Sequence, residues 1–160
     1  MTLADQIQAA MTAAMRSQDA LRRDTLRMVT AAAYNAEKAA RRPLTDDEVV
    51  AVLVREVKQR RESVSAYEQA GRDDLAARET AEIAIIAEFL PRPLSDDELR
   101  TMVAAAIDET GATSARDLGR VMGVLSPRTR GRADGKVVSG LVAQELARRD
   151  LVAHEHGATN

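Results

Sequence analysis

The sequence predicts an all-α protein, and three observations carry that prediction. Apolar residues recur at helical spacing, Leu3, Ile7, Met11 and Met15 being the first example. No stretch alternates apolar and polar residues with the period of two that marks a strand. Aromatic residues reduce to Tyr34, Tyr67 and Phe89, so alanine, leucine and valine must fill the interior. Small aliphatic residues of that kind suit close helix-on-helix packing better than a sheet.

Leu3, Ile7, Met11 and Met15 give the first helix its buried stripe. "SQDALRRD" interrupts it, and a second helix is predicted from Leu21 to Ala39. "RRPL" breaks the chain again. Thr45 followed three residues later by Glu48 forms a capping box at the head of a third helix, from Asp46 to Ala70, with Gly71 placed to stop it. A fourth helix is predicted over Asp73 to Phe89. Pro91 and Pro93 in "FLPRPLSDDE" forbid a continuous helix and mark the clearest boundary.

Beyond it, Ser95 and Glu98 repeat the capping arrangement, and a fifth helix carries Leu99, Met102, Val103, Ala106 and Ile107 before Gly111. Ser114 caps a short sixth helix bearing Leu118, Val121, Met122 and Leu125. Asp134 caps a seventh, with Val137, Val138, Leu141, Val142 and Leu146 on its face. The expected organisation is a helical N-terminal domain over 1–90, a small three-helix C-terminal domain over 94–149, and a flexible tail over 150–160 ending in "HEHGATN".

A net charge of -2 means that any affinity for nucleic acid must come from a local patch rather than from bulk charge. Few aromatics weigh against binding single strands by base stacking. The absence of cysteine excludes disulfide frameworks, thiolate zinc sites and cysteine nucleophiles, and it fits a reducing interior. The N-terminus has acid early and no uninterrupted apolar run, unlike a signal peptide, and no stretch reaches the length of a transmembrane helix. A cytoplasmic location without membrane contact is the expectation.

Several stretches suggest chemistry without supporting it. "GRADGK" has three residues between its glycines, Val137 after Lys136 and no preceding strand, so it is no nucleotide-binding loop. His154 and His156 sit two apart in the tail and define no coordination geometry. The carboxylates of "TDDE" and "SDDE" are explained by capping and the helix dipole. No catalytic, cofactor-binding or metal-binding residue is assigned, and no cofactor is implied.

Two basic clusters remain. In "REVKQRRES", Lys58, Arg60 and Arg61 form a possible secondary strip facing a polyanion or partner, against the plainer reading of a solvated helix surface in which Lys58 pairs with Glu62. From Arg116 to Lys136 there are six basic residues against two acids, an excess of four. If Arg128, Arg130 and Arg132 lie in an extended turn, alternate side chains point the same way and form a prong. Their planar guanidinium groups match phosphate oxygens, and free N–H groups at the start of the last helix, near Lys136 and Gly135, favour an anion too. A solvated loop accounts for the same residues. Gly119 and Gly123, one turn apart with Arg120 between them, fit either close packing of the sixth helix within its own domain or close backbone approach to a partner.

"GATSARDLGRVMGVLSPRTRGRADGKVVSGLV", with "KQRRES", "AGRDDLA" and "EFLPRPLSDDEL" before it, resembles the stand-alone proteins of the GatB/YqeY family over nearly the whole chain. Its "GxVM" and "GxADxK" blocks fall on Gly119, Val121, Met122, Gly131, Ala133 and Lys136. The resemblance implies a helical N-terminal domain joined to a small helical tail domain. That pair is similar to the C-terminal portion of the B subunit of the aspartyl/glutamyl-tRNA amidotransferase, whose tail is implicated in recognising the tRNA elbow. The family is grouped with carbon–nitrogen ligases that use glutamine as amido-N-donor, but the elements that activate the substrate and make ammonia are not among these residues. The resemblance and the local charge together point to an accessory module that binds tRNA, with Arg120, Arg128, Arg130, Arg132 and Lys136 as its RNA contacts and Gly119 and Gly123 shaping the surface, in company with an amidotransferase or an aminoacyl-tRNA synthetase and without catalysing alone. A protein-binding helical adaptor with no RNA affinity is the alternative.

Overall fold

In the computed structural model, which describes residues 1–157, the chain folds as helices joined by short connections and divides into two compact units, Met1–Leu90 and a second beginning at Pro91. The first unit holds α1 (Leu3–Ser17), α2 (Ala20–Ala40), α3 (Asp46–Gln69) and α4 (Asp73–Ala87). Ile7, Leu26, Val29, Val49, Leu53, Val57 and Ile86 close its core. The break between α1 and α2 is only two residues long. Gln18 takes a left-handed conformation that ends α1, and the Asp19 carboxylate accepts the N–H of Arg22 to start α2. Gly71, at φ 70°, follows α3 where a side chain would be strained.

One seven-residue string, Arg-Pro-Leu-(Thr or Ser)-Asp-Asp-Glu, starts one helix in each unit. At residues 42–48, Thr45 caps α3 and the Glu48 carboxylate accepts two hydrogen bonds from Arg42, at 2.7 and 2.8 Å. Arg42, followed by the Thr45 N–H, holds the Glu48 carboxyl down at about 2. At residues 92–98, Ser95 caps the next helix and Arg92 grips Glu98 in the same fork, at 2.9 and 3.1 Å. Proline keeps the entering chain extended, the capped N–H groups begin the helix, and the Arg–Glu fork fixes the entry angle.

Arg60 departs from the surface strip expected of it. It is 7% exposed and enclosed by carboxylates, with Nε 2.9 Å from Glu82 on α4 and Nη1 2.8 Å from Glu56 one turn back. Glu82 is itself 6% exposed, and Arg78 approaches it from outside at 3.7 Å. The cause is position: Leu53, Val57 and Arg60 share one face of α3, and that face looks into the unit.

The second unit holds α5 (Asp96–Thr110), α6 (Leu118–Thr129) and α7 (Gly135–Gly157), with one 3₁₀ turn, Ala115–Asp117, before α6. Val103, Ala106, Ile107, Val121, Leu125, Val138, Val142 and Leu146 form its core. Gly111, at φ 68°, ends α5. Ser114 and Asp117 cap the 3₁₀ turn reciprocally. The flexible tail expected over 150–160 is helical as far as Gly157, because no residue from Asp150 to His156 breaks a helix, and Asp150 and His154 approach at 3.5 Å one turn apart. Residues 158–160 lie outside those described. Upstream, Glu145 accepts from Arg148 at 2.6 Å and Arg149 at 3.0 Å, and Arg149 reaches Asp108 on α5 at 2.6 Å.

Replacing Arg60 with methionine leaves Glu82 and Glu56 inside without a counter-charge. The Arg60→Met variant should lose about 3–5 kcal/mol in urea unfolding followed by circular dichroism, and Arg60→Met/Glu82→Leu should regain most of it. The second unit should respond to acid through Glu145. Arg148, helped by Arg149 and opposed by burial, holds that carboxyl at about 2 against an ordinary 4.5. The folded value lies below the unfolded one, so the contribution is complete above about pH 4.5 and lost as pH falls towards 2. Protection factors of the α7 amides against hydrogen exchange, taken relative to the unstructured rate at each pH, should therefore fall across that window in the wild type and less so in Glu145→Gln.

Candidate functional site

The basic stretch that joins α6 to α7 is shorter in space than in sequence. Pro127 does not end α6, which runs on to Thr129. Only Arg130 to Asp134 form the connection, with Gly131 at φ 76° making the turn. Arg128, Arg130 and Arg132 therefore do not alternate along an extended segment, and the three-pronged array dissolves. Arg128 is helical and faces α5, where both of its terminal nitrogens donate to Glu109, at 2.9 and 3.0 Å. Arg132 turns back on the entry to the unit. Its Nε donates to the Arg92 carbonyl at 3.1 Å, its guanidinium lies 3.9 Å from Glu98, and its own carbonyl accepts the Leu94 N–H at 2.9 Å. It is a structural clip. Arg120 pairs with Asp117 at 3.2 Å.

Three cations of the cluster keep open heads: Arg116, before α6, and Arg130 and Lys136 at the α6–α7 junction are exposed, and none of these side chains has a carboxylate partner among the described residues. The start of α7 is less free than its glycine suggests. As expected, Asp134 caps it, and its carboxylate already accepts the Lys136 N–H at 2.8 Å. An incoming anion there would compete with that carboxylate, so the side chains rather than the helix end are the available groups.

Gly119 and Gly123 are not held by close packing within their unit. Both are exposed, and a Cβ built on either meets nothing within 4 Å. Gly140 on α7 is equally open. Glycine inside an exposed helix costs about 1 kcal/mol against alanine, so no packing within the unit accounts for these positions. Pro127 adds a further opening: lacking an N–H, it leaves the Gly123 carbonyl without its usual helical donor.

In the first unit the secondary strip survives in altered form. Lys58 and Arg61 are exposed while Arg60 is inside, and Arg55, absent from the strip as read, joins them. The expected Lys58–Glu62 pair is not among the ion pairs of the described residues. Arg55 opens the same stretch, and its spacing of three from Lys58 and six from Arg61 puts it on their face of α3. The spacing Leu53–Val57–Arg60 was the available signal that Arg60 points inward.

Against known proteins, the family described as Yqey-like protein matches residues 4–146, and the chain belongs to that family. A curated relative is "Altered inheritance of mitochondria protein 41, mitochondrial" from Pyrenophora tritici-repentis, 30% identical over 139 residues that cover 83% of this chain and 75% of the relative. The chain is thus a Yqey-like protein of helical build. No helix among the described residues is long and apolar enough to cross a membrane.

Gly119→Ala and Gly123→Ala together should raise the thermal stability of the second unit, by about 0.5–1 kcal/mol per site. If a ligand approaches this face closely, the same pair of changes should weaken its binding, which a merely tolerated glycine would not do.

Proposed function

We propose that the protein is an accessory RNA-binding module, with tRNA as its ligand, related by ancestry to tRNA-dependent amidation and not catalytic by itself. The observation that carries this reading is the open surface at the α6–α7 junction. Arg130 and Lys136 offer uncommitted positive charge beside an exposed glycine face on α6. Guanidinium and ammonium groups bind phosphate. An open glycine face lets a sugar–phosphate backbone lie close, and the Gly123 carbonyl, to which Pro127 cannot donate, can accept from a ribose 2′-hydroxyl, the group that separates RNA from DNA. Family membership supports the same reading, because the Yqey-like unit is related to the tail of the amidotransferase B subunit. Carbon–nitrogen ligation with glutamine as donor would then belong to a partner complex, an amidotransferase or an aminoacyl-tRNA synthetase. A cysteine-free chain suits the reducing cytoplasm, where we place it.

A second reading has its own observation. Val137, Leu151 and Val152 on α7 are 51%, 62% and 39% exposed, an apolar content that suits a protein-binding adaptor.

The test replaces the two open cations at the α6–α7 junction and leaves Arg132 alone, since that residue holds the fold. Arg130→Ala/Lys136→Ala should bind tRNA more weakly, with the slope of log affinity against log salt reduced by about 1.8 for two phosphate contacts. Unchanged tRNA affinity in that variant would remove the assignment. Recovery of a nuclease-resistant, salt-resistant protein partner instead would favour the adaptor.

A further inference from the structure

The outer face of α3 carries a set of charges that the α6–α7 surface does not explain. Arg55, Lys58 and Arg61 are all exposed, and none has a carboxylate partner among the described residues. Most arginines of this chain are otherwise neutralised: Arg22 by Glu88, Arg42 by Glu48, Arg92 by Glu98, Arg128 by Glu109 and Arg149 by Asp108.

The reason lies one layer deeper. Glu56 is the acid closest in sequence to Arg55 and Lys58. Arg60 draws it inward, and Glu82 on α4 completes the enclosed cluster. The inner arginine thereby takes the negative charge that would otherwise screen the outer ones. Glu62, the residue after Arg61, is the nearest exposed carboxylate on the C-terminal side of the set, and it forms no ion pair with Lys58 among the described contacts. At intervals of three residues, successive side chains advance about 4.5 Å along the axis and spread over about a third of the helix circumference. Their long stems let the charged ends shift to meet acceptors.

We infer that the outer face of α3 is a second nucleic-acid contact, a sequence-independent site for the phosphate backbone of a duplex. A duplex presents about one negative charge per 1.7 Å of its axis, so it can engage three flexible cations without shape complementarity. The inference rests on the nucleic-acid reading above, but on neither its preference for tRNA nor the α6–α7 junction.

The experiment titrates the full chain with a fluorescent RNA duplex of random sequence at several salt concentrations. Arg55→Ala/Lys58→Ala/Arg61→Ala should lose at least about tenfold in affinity at low salt, and its salt slope should fall by about 2.7 for three contacts. Glu62→Lys, which adds a fourth cation to the same face, should bind more tightly with a slope steeper by about 0.9. Thermal melts of both variants should match the wild type, because all four positions are exposed.

Wild-type affinity and slope in the triple variant would overturn the inference. So would failure of the wild-type chain to bind the duplex, or a loss in the triple variant accompanied by a lowered melting temperature and no gain from Glu62→Lys. The junction variant Arg130→Ala/Lys136→Ala, measured alongside with tRNA, judges the other reading separately. A junction variant that binds tRNA normally while the α3 variant loses duplex would remove the first and leave the second.

Discussion

Glu98 is the point on which the arrangement of the second unit turns. Its carboxylate receives the Arg92 fork, and its N–H is capped by Ser95, so the chain enters α5 at a set angle. Arg132, from the α6–α7 connection, comes within 3.9 Å of the same carboxylate and is tied to Arg92 and Leu94 through backbone groups. One carboxylate thus gathers the entry segment, the start of α5 and the connection between the last two helices. Each exposed ion pair of this kind is weak alone, but the combination of fork, cap and backbone bonds leaves the connection few other positions. That constraint decides which cations of the basic stretch are held and which are left over.

The distinction between held and open cations matters more than their number. Six basic residues lie between Arg116 and Lys136, and the structure withdraws Arg120, Arg128 and Arg132 into internal contacts. A local excess of positive charge in a sequence therefore overstates the surface that a ligand can use. On α3 the effect runs the other way. An enclosed arginine sequesters acid, so fewer cations leave a more positive face.

Most of the architecture was legible in the sequence because helix periodicity and capping are local signals. Thr45 with Glu48, Ser95, Asp134, Gly71 and Gly111 all act where their spacing placed them. What escaped were features set by contacts distant in sequence. Glu109 capturing Arg128 spans two helices, and the Arg132 clip closes on residues forty positions earlier. Nothing within a helical turn of either arginine announces such a partner. Pro127 falls inside α6, and the helix absorbs it near its end, where a single lost hydrogen bond is tolerable. Arg60 was the one site residue whose misplacement was avoidable, since its register with Leu53 and Val57 was already in view.

The extension of α7 has a mechanical meaning. Leu146 is the last of its residues enclosed by the core, and from Leu151 to Gly157 every residue is exposed. Eleven further residues, at about 1.5 Å each, carry the helix about 16 Å beyond that anchor. Beyond the tie from Arg149 to Asp108, the described turns of this helix place no side chain in the core and are the first to give way in water. Warming should erode this spur turn by turn while the bundle beneath it keeps its shape, so the unit has a soft end built onto a firm body.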